Sequence, residues 1–111
     1  MEAEPLRDED FATALRALGH PVRLAILRIL SEKAQLDCCC TDVTQCLPLA
    51  QSTVSQHIKV LLDAGLVVRH SRGTRNCYSV EAERLASLEA AFSGLLGGLS
   101  SPHREDERIP A

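Results

Sequence analysis

The chain has 111 residues, a formal net charge of −3 and 45% hydrophobic residues, with only Phe11, Tyr78 and Phe92 as aromatics. That length suits one domain burying roughly two-thirds of the surface of the extended chain. There is no apolar run near the length of a bilayer crossing and no basic-then-apolar leader, so a membrane span and a secretory signal are both excluded as expectations, and a cytoplasmic protein is expected.

Charge is unevenly spread. Residues 1–11 hold Glu2, Glu4, Asp8, Glu9 and Asp10 against Arg7, whereas residues 51–80 hold Lys59, Arg69, Arg72 and Arg75 against Asp63, with His57 and His70 in addition. A basic segment inside an acidic chain is compatible with a nucleic-acid partner. Five cysteines, three of them adjacent at 38–40, do not read as a disulfide framework; thiol chemistry or soft-ion binding fits them better.

Taken in order, residues 1–7 read as a flexible lead-in. Asp8–Leu18 reads as a helix with acidic residues in its first turn, where the helix dipole favours them, and with Phe11, Ala14, Leu15 and Leu18 on one face. Gly19 ends it. Pro21 opens a second helix to Lys33, whose Val22, Ile26, Ile29 and Leu30 fall at core-facing spacing. Gln35–Cys40 reads as extended or irregular. Asp42–Leu47 reads as a short helix capped by Thr41 and broken by Pro48.

Gln51–Ala64 is the next helix. Val54, Ile58, Leu61 and Leu62 form its buried stripe, and Ser52, Ser55, Gln56, Lys59 and Asp63 the opposite one; Gly65 takes the position just past its end. Leu66–His70 and Asn76–Val80 read as two strands around a basic tip at 71–75. A last helix, Glu81–Leu96, is ended by Gly97-Gly98, and the domain of residues 8–99 is followed by a tail at 100–111 that reads as disordered.

The expected fold is mainly α with a small β-hairpin, a winged helix-turn-helix of about five helices plus a two-stranded wing. A helix fits the major groove, and groups near its start reach base edges and phosphates. Gln51, Ser52, Thr53, Ser55, Gln56 and His57 lie there, Lys59 follows on the same side, and Arg72 and Arg75 flank the wing tip. These are the candidate DNA-binding residues. A solvated face on an ordinary amphipathic helix is the plainer reading of the same stripe; the basic hairpin that follows favours DNA. No catalytic constellation is visible: there is no CxxC redox motif in a βαβ setting and no acid–base pocket, so an enzyme is not expected.

ALGHPVRLAILRIL at 17–30, LPLAQSTVSQHIKVLLDAGLV at 47–67 and RGTRNCYSV at 72–80 resemble the ArsR-type (ArsR/SmtB) metal- and metalloid-sensing repressors, over roughly residues 11–96. The resemblance implies a homodimer through the first and last helices, an operator of double-stranded DNA bound without any cofactor, and release when an inducer binds. The wide apolar face Leu85, Leu88, Phe92, Leu95 and Leu96 agrees with a dimer. Ala50 departs from the serine common at the cap of the reading helix in such sequences.

Thiolates select soft or borderline ions, so As(III) or Sb(III) is the expected inducer, with zinc or cadmium and a thiol-redox signal as alternatives. Cys38, Cys39 and Cys40 are the candidate ligands. Three consecutive thiols converge poorly, because a strand alternates them and a helix splays them, so Cys77 or Cys46 is a further candidate donor. Cys46 sits where an apolar residue would pack, and Cys77 is offset from Tyr78 and Val80. Set against arsenic-sensing members, Asp42-Val43 as the start of the short helix puts Cys39 on the first cysteine of their cysteine-any-cysteine pair and Thr41 on the second. The last helix has neither the histidine of zinc-sensing members nor the cysteine of persulfide-sensing ones. His20, His70 and His103 are scattered and carry no assigned role.

Overall fold

The computed structural model describes residues 3–32 and 38–100, with the backbone alone at 38–42 and at Arg72. Its elements are α1 (Asp8–Leu18), α2 (Pro21–Glu32), β1 (Cys38–Cys39), α3 (Cys40–Gln45), α4 (Gln51–Asp63), β2 (Val67–Arg72), β3 (Arg75–Val80) and α5 (Ala82–Leu99). Among the described residues, five helices pack with a small antiparallel sheet of order β1-β3-β2. This is a winged helix-turn-helix, and its sheet takes in β1 beside the two strands of the wing.

The core follows the apolar periodicities. Ile26 and Leu30 of α2 meet Val43 of α3, then Val54, Ile58 and Leu61 of α4, and all are almost wholly buried. Phe11, Ala14 and Ala17 of α1 close one side, and Leu88 and Ala91 of α5 close another. Phe11 meets Phe92 edge to face, with ring centroids 6.1 Å apart. The N–H of Leu6 donates to the carbonyl of Ser87, at 3.3 Å, which ties the chain before α1 to α5.

Local chemistry sets the boundaries. α4 ends in a Schellman arrangement: the N–H of Leu66 bonds the carbonyl of Leu61, and that of Gly65 bonds Leu62, both at 3.0 Å. This needs the left-handed φ of +76° at Gly65, where a Cβ would also press on Nε of Arg84 at 3.0 Å. Leu66 follows, fully buried, and sends the chain into the wing.

Several boundaries differ from expectation. The wing strands run out to Arg72 and Arg75, so only Gly73 and Thr74 form the loop, with Gly73 at φ +64° as tight hairpins require. α3 starts at Cys40, not at Asp42 with a Thr41 cap, because the ladder of β1 with β3 ends at Cys39 and the chain turns directly into helix. α5 continues through Gly97 and Gly98 to Leu99, where Ser100 closes it by directing both its N–H and its hydroxyl to the carbonyl of Leu96. Glycine lowers helix propensity by only about 1 kcal/mol per residue and does not by itself stop a helix. The expected end of α2 at Lys33, the stretch 35–37 and the tail beyond Ser100, with His103, lie outside the described residues.

Candidate nucleic-acid interface

α4 buries Val54, Ile58 and Leu61, and 3.6-residue periodicity then turns Gln51, Ser52, Ser55, Gln56 and Lys59 outward, all exposed. Thr53 and His57 flank this stripe and are half-buried. Lys59 reaches one turn on to Asp63, Nζ to Oδ2 3.1 Å, with both side chains well exposed. Such an exposed i,i+4 pair contributes little, and a phosphate could take the Lys59 ammonium in its place.

The wing stands beside this helix. Ser55 and Lys59 of α4 and Arg69 and Tyr78 of the sheet line a single recess, so helix and wing form one continuous surface. Arg69 is exposed on it, and Arg75 is exposed further out, at the end of the wing. Arg72 ends β2 directly opposite Arg75, so the two arginines flank the loop at its tip.

The start of α4 is uncapped. Ala50 occupies the cap position in extended conformation, with no side-chain hydrogen bond to the first turn. The first N–H groups of any helix have no partner within it, and such a terminus suits an anion.

A polar knot that sequence periodicity gives no hint of holds α4 in place. Nδ1 of His20 accepts from the N–H of Val22, at 3.1 Å, and so caps α2. The His20 ring lies against His57 of α4, with centroids 4.5 Å apart. Nε of Arg23 donates to Nδ1 of His57, at 3.2 Å, while its Nη1 donates to the carbonyls of Arg16 and Ala17 at the end of α1. One guanidinium thus joins α1, α2 and α4. Burial first, then the nearby charges of His20 and Arg23, hold His57 below its ordinary pKa. The proton of its neutral ring belongs on Nε2, since Nδ1 accepts. On sequence alone Arg23 is one more polar residue off an apolar stripe, and only its position between three helices gives it this role.

The cysteines divide. Cys38 and Cys39 form β1, Cys40 opens α3, and Cys77 lies in the middle of β3, directly opposite Cys39 and almost buried. The structure therefore brings Cys77 to the consecutive three. Cys46 does not pack as an apolar residue would: α3 ends at Gln45, and Cys46 is exposed in the turn beyond it, at the far end of α3 from Cys40. Among the described residues no three His, Cys, Asp or Glu side chains gather as a metal site, and the side chains at 38–40 are not among those described.

A helix-turn-helix domain model matches residues 18–70. The arsenical resistance operon repressor of Bacillus subtilis is 33% identical over 73 residues, which span 66% of this chain and 68% of that repressor. The chain belongs to the ArsR family of winged helix-turn-helix transcriptional regulators. The fold is that of the family's solved structures. The crystal structure of an ArsR family transcriptional regulator superposes with a TM-score of 0.73 at 22% identity, covering 89% of this chain and 99% of that one. The homodimeric winged helix-turn-helix domain from Mycobacterium bovis gives 0.61 at 24% identity, covering 86% and 89%. The Mycobacterium bovis domain is a DNA-binding one, and no helix among the described residues of this chain is long and apolar enough to cross a membrane.

Proposed function

We propose that the protein is a homodimeric repressor that binds operator DNA through α4 and the wing and releases it when As(III) or Sb(III) binds its cysteine thiolates. The observation that carries the DNA half is the exposed stripe Gln51, Ser52, Ser55 and Gln56 on a helix whose other side is core, continuous with the basic wing. In this reading Gln51, Ser52, Thr53, Ser55 and Gln56 meet base edges and nearby phosphates. Lys59, Arg72 and Arg75 neutralise phosphates, and His57 offers Nε2–H at the rim. The uncapped start of α4 at Ala50 accepts a phosphate.

Support for the dimer comes from α5. Beyond Ala91 it buries nothing, and Phe92, Leu95, Leu96 and Leu99 are exposed in succession. A second copy covering this face, together with α1 beside Phe92, places two reading helices on one palindromic site. The inducer class is supported by the soft thiol donors around β1 and by the arsenical resistance function named for the Bacillus subtilis relative.

The test uses duplex DNA selected from a random pool by the purified dimer. Affinity should fall steeply as salt rises, because phosphate contacts release counterions, and arsenite or antimonite should release the DNA. A salt-independent affinity overturns the DNA reading. Release by zinc, cadmium or peroxide with no response to arsenite overturns the inducer assignment.

A further inference from the structure

β1 is the outer strand of the sheet and β3 its centre. The register sets Cys38 opposite Tyr78 and Cys39 opposite Cys77, antiparallel. Directly opposed residues in such a pair share a sheet face, with Cβ atoms about 4.5–5.5 Å apart. Alternation along the strands therefore puts Cys39 and Cys77 on one face and Cys38 and Tyr78 on the other. The face of Tyr78 is already in use, since Tyr78 and Arg69 line the recess beside α4. On the opposite face the row continues to His70 of β2, which is exposed and bonded through Nε2 to Oγ of Ser79 at 2.8 Å. Across the sheet this row reads Cys39, Cys77, His70, and only its first two members are thiols.

We infer that Cys39 and Cys77 form a dithiol across the β1–β3 pair that takes a trivalent arsenical, making the wing's central strand a ligand-bearing element. This rests on the proposed function only for the class of ligand. For a mono-organoarsenical, two As–O bonds break and two As–S bonds form. The two thiol protons leave with the displaced oxygens as water, and no oxidation state changes. The ladder sets these two cysteines directly opposite each other from distant parts of the sequence, whereas Cys38 takes the other register position of β1 and Cys40 belongs to α3. Cys39 also leads without a linker into α3. A chelate at this pair fastens the first helix of the helix-turn-helix to the strand that carries Arg75, so one ligand acts on both parts of the DNA-reading surface. It shifts DNA affinity to the extent that this junction differs between the free and bound states.

The test uses the full chain, reduced with a phosphine, and phenylarsine oxide, whose arsenic has two positions to exchange. The chain with Cys38→Ser, Cys40→Ser and Cys46→Ser should retain one equivalent by native mass spectrometry and lose both remaining thiols to titration. Adding Cys77→Ala should abolish retention. Peptide mapping of the unsubstituted chain's adduct should find Cys39 and Cys77 protected from alkylation, a readout that needs no folded variant. No adduct on the two-thiol chain, or protection of Cys38 and Cys40 in place of Cys77, overturns the inference. DNA affinity measured on the same samples separates the two readings. An adduct at Cys39 and Cys77 without DNA release sinks the inducer reading and leaves the dithiol standing. Release with the arsenic on other thiols does the reverse.

Discussion

The proposed DNA-reading half, α4 with the wing, and the thiol half, β1 with α3, are built on opposite principles. α4 is held from three sides: by its buried stripe, by the Gly65 turn into the wing, and by Arg23 through His57. Its outward groups are thereby presented on a fixed frame. β1 has only two residues and a single partner strand, and it passes straight into a helix of six. A reader of base edges needs the first construction. A sensor that must change its arrangement when an ion binds needs the second.

Five variants, one of them followed across pH, would break or sharpen this contrast. The largest effect is expected at Leu61, fully buried at the end of α4. Leu61→Ala should cost about 2–5 kcal/mol, read as a large drop in the thermal midpoint, with DNA affinity lost alongside. Next is Gln56→Ala, which should leave the midpoint unchanged and weaken operator binding by about 1–3 kcal/mol if Gln56 reads a base, measured by anisotropy; an equal loss on all DNA sequences would assign it to phosphate instead. Ala50→Ser should gain about 1 kcal/mol in the free protein by capping α4, with a smaller gain in the complex if a phosphate serves those N–H groups there. No change in the free protein would show that another group satisfies them.

The titration concerns His57. Its folded pKa lies below the ordinary 6.5, so the unfolded chain binds the proton more readily. The stability it contributes is complete above pH 6.5 and declines as pH falls through that value toward the folded pKa. Denaturation midpoints across that range should decline less in His57→Gln. The smallest effect on DNA affinity is expected for the joint change of Cys38, Cys39 and Cys40 to serine, which should bind DNA as before and no longer respond to arsenite. A triple variant that still responds would place the inducer site elsewhere.

Much of the reading half was legible in the chain because its signals are local. Val54, Ile58 and Leu61 repeat at helical spacing, Gly65 marks the end, and Gly73 marks the hairpin. The ends of α3 and α5 were not, since strand pairing at Cys39 and tolerance of Gly97 and Gly98 are decided by neighbours distant in the sequence or by the whole helix. Cys46 shows the same limit: its apolar spacing suggested packing, but the helix stops one residue short and leaves it exposed.

Sequence by itself determined the helices, the wing, the polar stripe on α4 and the presence of a thiol cluster, because periodicity, glycine placement and residue chemistry act over a few residues. Tertiary structure decided which of those groups meet. Arg23 and His57 are 34 residues apart and share a hydrogen bond; Cys39 and Cys77 are still more remote and share a rung of the sheet. Both pairings follow from how the helices pack and how β1 docks on β3, which are properties of the folded core and not of any stretch of chain within it.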